Sequence, residues 1–95
     1  MTGERKAYRA RIDGIVQGVG FRYSTAEAAR KIGGLGGWVR NTKEGSVEVH
    51  VEGAEDRCLL MRAYLAKGPV TAKVESLLWE AATVQGFEEF VVRRD

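Results

Sequence analysis

Apolar and polar residues alternate from residue 6 to residue 13, with Tyr8, Ala10 and Ile12 on one side and Arg9, Arg11 and Asp13 on the other. That is the period-two signature of a half-buried strand. After a glycine-rich stretch the period changes. Phe21, Thr25, Ala28 and Ile32 recur at helical spacing among good helix formers, predicting a helix over residues 21–32 with Gly33 as its C-cap. Residues 37–42 and 46–52 return to an extended pattern and predict two strands joined at Lys43, Glu44 and Gly45 by a hairpin turn. Val47, Val49 and Val51 mark the buried face of the second. Residues 54–67 predict another helix, with Cys58, Met61 and Leu65 on one face and a stop at Gly68 and Pro69. Two more extended segments follow at 74–82 and 87–93, although the doublet Leu77-Leu78 leaves the register of the first open.

Strand, helix, strand, strand, helix, strand describes a split βαβ unit duplicated once. The expected architecture is an α+β, ferredoxin-like α/β sandwich (βαββαβ): a mostly antiparallel sheet, two helices on one face and a short extra C-terminal strand. Ninety-five residues make one domain, taken as residues 1–95. Hydrophobic residues at 44% and charged residues at 29% are ordinary globular values and argue against general disorder. The net charge of +2 suits a small anionic substrate, and it is not the concentrated basic stripe that duplex nucleic acid demands. A single cysteine, no apolar run of about 18 residues and no leader-like start lead us to expect a cytoplasmic protein with no membrane partner. Since this fold hosts enzymes, RNA binders and regulatory modules alike, function must come from particular residues.

The most informative residues are GIVQGVGFR at 14–22. Glycine lets successive amides turn toward one point, and a helix starting near Phe21 adds unpaired N–H groups and the positive end of its dipole. Arg22 supplies a fork that matches two oxygens of one phosphate. Other phosphate motifs fail here. A Walker loop needs lysine then serine or threonine where Phe21 and Arg22 stand, and a dinucleotide fingerprint starting at Gly18 needs glycine where Tyr23 stands. Cys58, on the apolar face of the second helix, reads as a buried small hydrophobe rather than a nucleophile. His50 shares a strand face with Glu48 and Glu52, which reads as a solvated face rather than a metal site. Trp38, Tyr23 and Trp79 read as packing residues rather than a site rim.

Without nucleophile or metal, such a loop serves a reaction whose bond is already labile, where positioning and charge stabilisation suffice. Acyl phosphates meet that condition, because a water held in line with phosphorus needs no strong general base. Asn41 is the candidate to hold the water. It shares the parity of Val39, so its amide points to the helix-covered face. An asparagine there that merely satisfies local backbone fits the residues equally well.

The loop, followed by GWVRN at 37–41, GSVEV at 45–49, Gly53 and Gly68-Pro69, resembles the acylphosphatase family over essentially the whole chain. The resemblance implies a ferredoxin-like enzyme that hydrolyses carboxyl–phosphate bonds, releases inorganic phosphate and uses no metal or organic cofactor. Carried over by motif, Gln17, Gly18, Val19, Gly20 and Phe21 form the phosphate cradle, Arg22 anchors the phosphate and Asn41 orients the attacking water. A free-standing monomer is expected. One departure stands out: GGLGG at 33–37 is a residue longer than the family's usual connection, and a mobile glycine hinge there would loosen Asn41. Three rival readings are a carbamoyl-phosphate-handling domain cut from a larger hydrogenase-maturation protein, a non-catalytic phosphate sensor, and an RNA-binding module of the same fold. The last needs exposed aromatics on the central strands, where Arg9, Arg11, Asp13, Glu48, His50 and Glu52 stand instead.

Overall fold

The computed structural model describes residues 4–94. Its elements follow in the order β1 Arg5–Ile15, α1 Phe21–Ile32, β2 Gly36–Asn41, β3 Val47–Ala54, α2 Glu55–Lys67, β4 Lys73–Ala82 and β5 Phe90–Val92. The strands form one sheet in the order β4-β1-β3-β2-β5, antiparallel except where β5 runs parallel to β2. This is the ferredoxin-like α+β sandwich expected from the pattern, with its short last strand added at the β2 edge. A bulge between Asp13 and Gly14 lets β1 keep pairing with β4 as far as Ile15, two residues beyond the alternation that marks the strand.

One core lies between the sheet and both helices. Val47, Val49 and Val51 are fully buried, as are Cys58, Met61 and Leu65 of α2. On α1 the buried stripe is Phe21, Thr25, Ala26 and Ala29, while Ala28 and Ile32 are half-buried, so the helix is turned slightly from the face its spacing suggests. Small alanines at the contact let the helix lie close to the sheet. Trp79 stacks on Tyr8 at 4.8 Å, which fixes the register that the leucine doublet left open: Leu77 turns inward and Leu78 outward.

The opposite face of the sheet corrects one expectation. His50 and Glu52 are not solvated; both are 0% exposed. Because β4 and β5 occupy opposite edges, residues 83–89 must cross this face and cover it. The predicted strand over 87–93 is accordingly only Phe90–Val92, since the amides of Gln85, Gly86 and Phe87 bond to the Glu52 carboxylate at 2.5, 3.0 and 3.1 Å instead of to a neighbouring strand. His50 Nε2 donates a fourth hydrogen bond to Glu52 at 2.7 Å, and its Nδ1 accepts one from Arg9 Nε at 3.1 Å. Trp38 packs beside His50, with the guanidinium carbons of Arg9 and Arg93 5.0 and 4.8 Å from its ring centre.

Burial alone pushes the Glu52 carboxyl up, but the hydrogen bonds from His50, Gln85, Gly86 and Phe87 outweigh it and hold the group below its ordinary value. A carboxylate depressed in the folded state stabilises the protein fully above the unfolded pKa of about 4.3. That stabilisation is lost as pH falls through the folded value. Glu52→Gln is therefore expected to cost about 2–4 kcal/mol at pH 7 and progressively less below about pH 4. Denaturant unfolding of both proteins at the two pH values measures the difference.

Part of the glycine run is sheet. Gly36 and Gly37 are buried within β2, and a Cβ on Gly37 would stand 1.8 Å from the His50 carbonyl oxygen. Glycine is needed at 37 so that strand backbones can approach closely with φ at 135°. The segment that precedes Asn41 is thus ordered sheet.

Candidate active site

The loop from β1 to α1 is shaped by two left-handed glycines. Gly18 and Gly20 have φ of 75° and 79°. A Cβ on either would meet nothing within 4 Å, so the backbone conformation, and not lack of room, requires glycine. Val16 is buried at the loop entrance and Phe21 at its exit, which fixes both ends in the core. Between them Gly18, Gly20 and Phe21 line a small cavity, and successive amides in a turn with left-handed glycines can form an anion-binding concavity. Gly20 is the N-cap of α1, no side chain caps the helix, and its first turn has no acidic residue. The positive end of the helix therefore faces the loop without a carboxylate to neutralise it.

Two tethers brace the loop from opposite sides. Gln17 Nε2 donates to the carbonyls of Thr42 and Ser46, both at 2.8 Å, and Thr71 Oγ1 donates to the Val19 carbonyl at 2.7 Å. The Gln17 side chain is thus committed to the β2–β3 turn just after Asn41, not turned into the cradle. Val19 leans on the edge of the core.

Arg22 stands in the first turn of α1, where a cation opposes the helix dipole. A fold optimised for stability alone would not place one there. Its Nη1 donates to the Arg93 carbonyl at 3.1 Å, so the residue just after β5 holds the guanidinium beside the cavity. Tyr23, 53% exposed, lies beside it at the rim and accepts a hydrogen bond from Arg94 at 2.7 Å. Trp38 and Trp79 are packing residues as expected, whereas Tyr23 is not.

Asn41 ends β2, paired with Val47 of β3. It lies with Arg22, Gly18, Gly20, Phe21, Val16 and Tyr23 around one cavity of about 110 Å³. Val39 of the same parity is fully buried toward the helices, so the amide takes the side the alternation assigns it. A larger groove of about 610 Å³ between α1 and α2 brings Glu27 and Lys31 together with Leu60 and Tyr64, but no glycine loop or helix start opens into it. A cation, a glycine loop, a helix start and a primary amide converge at the smaller cavity. Such a set can bind a tetrahedral anion and fix a water beside it.

The other reactive side chains lie elsewhere. Cys58 is fully enclosed, and burial, followed by the negative charge of Glu55, pushes its thiol up to about 11, which keeps it unreactive. Among the described residues no three metal-ligating side chains cluster. What sequence reasoning missed are the supports: Thr71, the Arg93 carbonyl and the Tyr23–Arg94 pair. The glycine loop, Arg22 and Asn41 pointed to this region, but none of these partners carries a local pattern.

A family model described as acylphosphatase matches residues 8–92. The chain is 46% identical over 90 residues to an acylphosphatase of Pseudomonas aeruginosa, an alignment that covers 95% of this chain and 98% of that one. With an acylphosphatase of Thermotoga maritima the identity is 42% over 88 residues, covering 93% and 97%. Among solved structures, the acylphosphatase from Bacillus subtilis superposes with a TM-score of 0.88 at 34% identity, covering 93% of this chain and 98% of that one.

Proposed function

The chain belongs to the acylphosphatase family and hydrolyses the carboxyl–phosphate bond of acyl phosphates, and from that premise we propose how its residues divide the work. The phosphoryl group sits in the cradle of Gln17, Gly18, Val19, Gly20 and Phe21, held by backbone amides and by the α1 dipole. Arg22 grips two of its oxygens and balances the charge that spreads over them as the transition state forms. Asn41 holds a water through its amide, in line with phosphorus and opposite the acyl oxygen. The water oxygen bonds to phosphorus, the phosphorus–oxygen bond to the acyl group breaks, and a carboxylate leaves with inorganic phosphate as the second product.

No general acid is required, because a carboxylate with a pKa of about 4 departs unprotonated at neutral pH. No strong base is required either, because the leaving group makes the bond labile. The observation that carries this reading is the convergence of Arg22, the uncapped start of α1 and Asn41 on one small cavity.

We further propose that the enzyme acts as a cytoplasmic monomer, without a metal, a cofactor or a nucleic-acid partner. The enclosed free thiol supports a reducing compartment, and a cavity whose contacts come from Arg22, the glycine loop and Asn41 supports chemistry without a metal. A synthetic acyl phosphate such as benzoyl phosphate tests the proposal directly. Hydrolysis is expected to be unchanged by a chelator, and inorganic phosphate is expected to inhibit competitively. Inhibition that leaves KM unaltered would place phosphate outside the substrate site and sink the cradle assignment.

A further inference from the structure

We propose that Glu52, on the sheet face opposite the cavity, is a positioning residue for Arg22 that acts through the crossing segment 83–89 and β5. The inference rests on the reading that Arg22 holds the phosphoryl group.

The mechanical path is continuous. The Glu52 carboxylate, 0% exposed, takes the amides of Gln85, Gly86 and Phe87 and the Nε2–H of His50, which fills its roughly four acceptor sites. Arg5 Nη2 reinforces the clamp, donating to the Phe87 carbonyl at 2.8 Å and lying 3.7 Å from Glu52 Oε1. Little else holds the segment: residues 83–86, 88 and 89 are exposed, and Phe87 is half-buried with its ring against His50. Beyond the clamp, Gly37 N donates to the Glu89 carbonyl at 2.9 Å, Phe90 enters the core, and Arg93 N donates to the Val39 carbonyl at 2.8 Å. The Arg93 carbonyl then receives Arg22.

β5 has only three residues at a sheet edge, too few to set its own register without anchors at its ends. Glu52 supplies the anchor on the upstream side. If the clamp opens, β5 frays and Arg22 loses the carbonyl that orients it. The guanidinium must then be ordered anew each time phosphate binds, in the ground state and the transition state alike, so uniform binding is lost and KM rises with little change in kcat. Asn41 is spared, because it pairs with β3 and lies beyond the β2–β5 pairing at Gly37, Trp38 and Val39.

The test compares Glu52→Gln, Arg5→Ala and a chain truncated after Val92, at a temperature where circular dichroism shows each to be folded. For Glu52→Gln and the truncation, KM and the phosphate inhibition constant are expected to rise together about three- to tenfold, the factor for ordering one rotamer-rich side chain. Arg5→Ala moves them the same way by less, and decides the matter if Glu52→Gln does not fold. Adding Glu52→Gln to the truncated chain should have no further effect on either constant. Unchanged constants beside a lowered Tm, or effects that multiply in the combined variant, would overturn the inference. Arg22→Ala serves as the control. If it leaves both constants at native values, the assignment of Arg22 itself fails, whereas a large Arg22 effect beside silent Glu52 and Arg5 variants refutes the Glu52 link alone.

Discussion

Arg22→Ala is expected to lower kcat/KM for an acyl phosphate by about 10³-fold, with a weaker grip on inorganic phosphate, while the protein keeps its stability to within about 1 kcal/mol. The two halves of this expectation share one cause. A guanidinium in the first turn of α1 faces the positive end of the helix, a placement that costs roughly 0.3–1 kcal/mol. Against it stands one hydrogen bond to the Arg93 carbonyl, worth a comparable amount. Removing the side chain therefore leaves the fold nearly indifferent, but takes away the only cationic side chain that lines the cavity around Asn41 among the described residues. Arg22→Lys separates charge from shape: a point charge restores part of the phosphate affinity but not the two-oxygen grip. Steady-state kinetics with phosphate inhibition, together with thermal unfolding, reads all of this. Native turnover in Arg22→Ala would refute the anchor role.

The second large effect belongs to Asn41. Asn41→Ala is expected to lower kcat by about 10²-fold while KM and phosphate inhibition stay close to native. A water that must be found and oriented by chance raises the barrier to attack without touching the bound phosphoryl group. Stability should change little, since Asn41 is half-exposed at a strand end and its backbone pairing with Val47 survives the substitution. Loss of phosphate affinity in the Arg22 variant, beside its retention in the Asn41 variant, would show that the two residues do different work. A fully active Asn41→Ala enzyme would remove the water-holding role.

Much of the fold could be read in advance because its main elements carry strong local periodicity. Tyr8, Ala10 and Ile12 announce β1, the three valines of β3 announce the core, and Cys58, Met61 and Leu65 announce the buried side of α2. Alternation reports which side of a sheet a residue takes, but it does not say what covers that side. His50 and Glu52 were therefore assigned to the correct face and to the wrong environment. Their cover, residues 83–89, buries few apolar groups and bonds to a side chain more than thirty positions earlier, so no window of sequence contains the relation. The same holds at the site. Gly18, Gly20 and Arg22 form a contiguous motif, whereas Thr71 and the Arg93 carbonyl reach the loop from 52 and 71 positions away.

The resting place of Arg22 also has a consequence for the order in which the protein matures. Its carbonyl partner directly follows the last strand, which reaches β2 only once the chain has crossed the sheet. Domains emerge from synthesis N-terminal end first, and long-range pairings of this kind are slow to form. The glycine loop needs Thr42, Ser46 and Thr71 in place for its braces, all of them earlier in the chain than Arg93. On the proposed link, phosphate is held several-fold more weakly until Arg22 docks, so full substrate affinity arrives last and reports that the C-terminal strand has reached its seat.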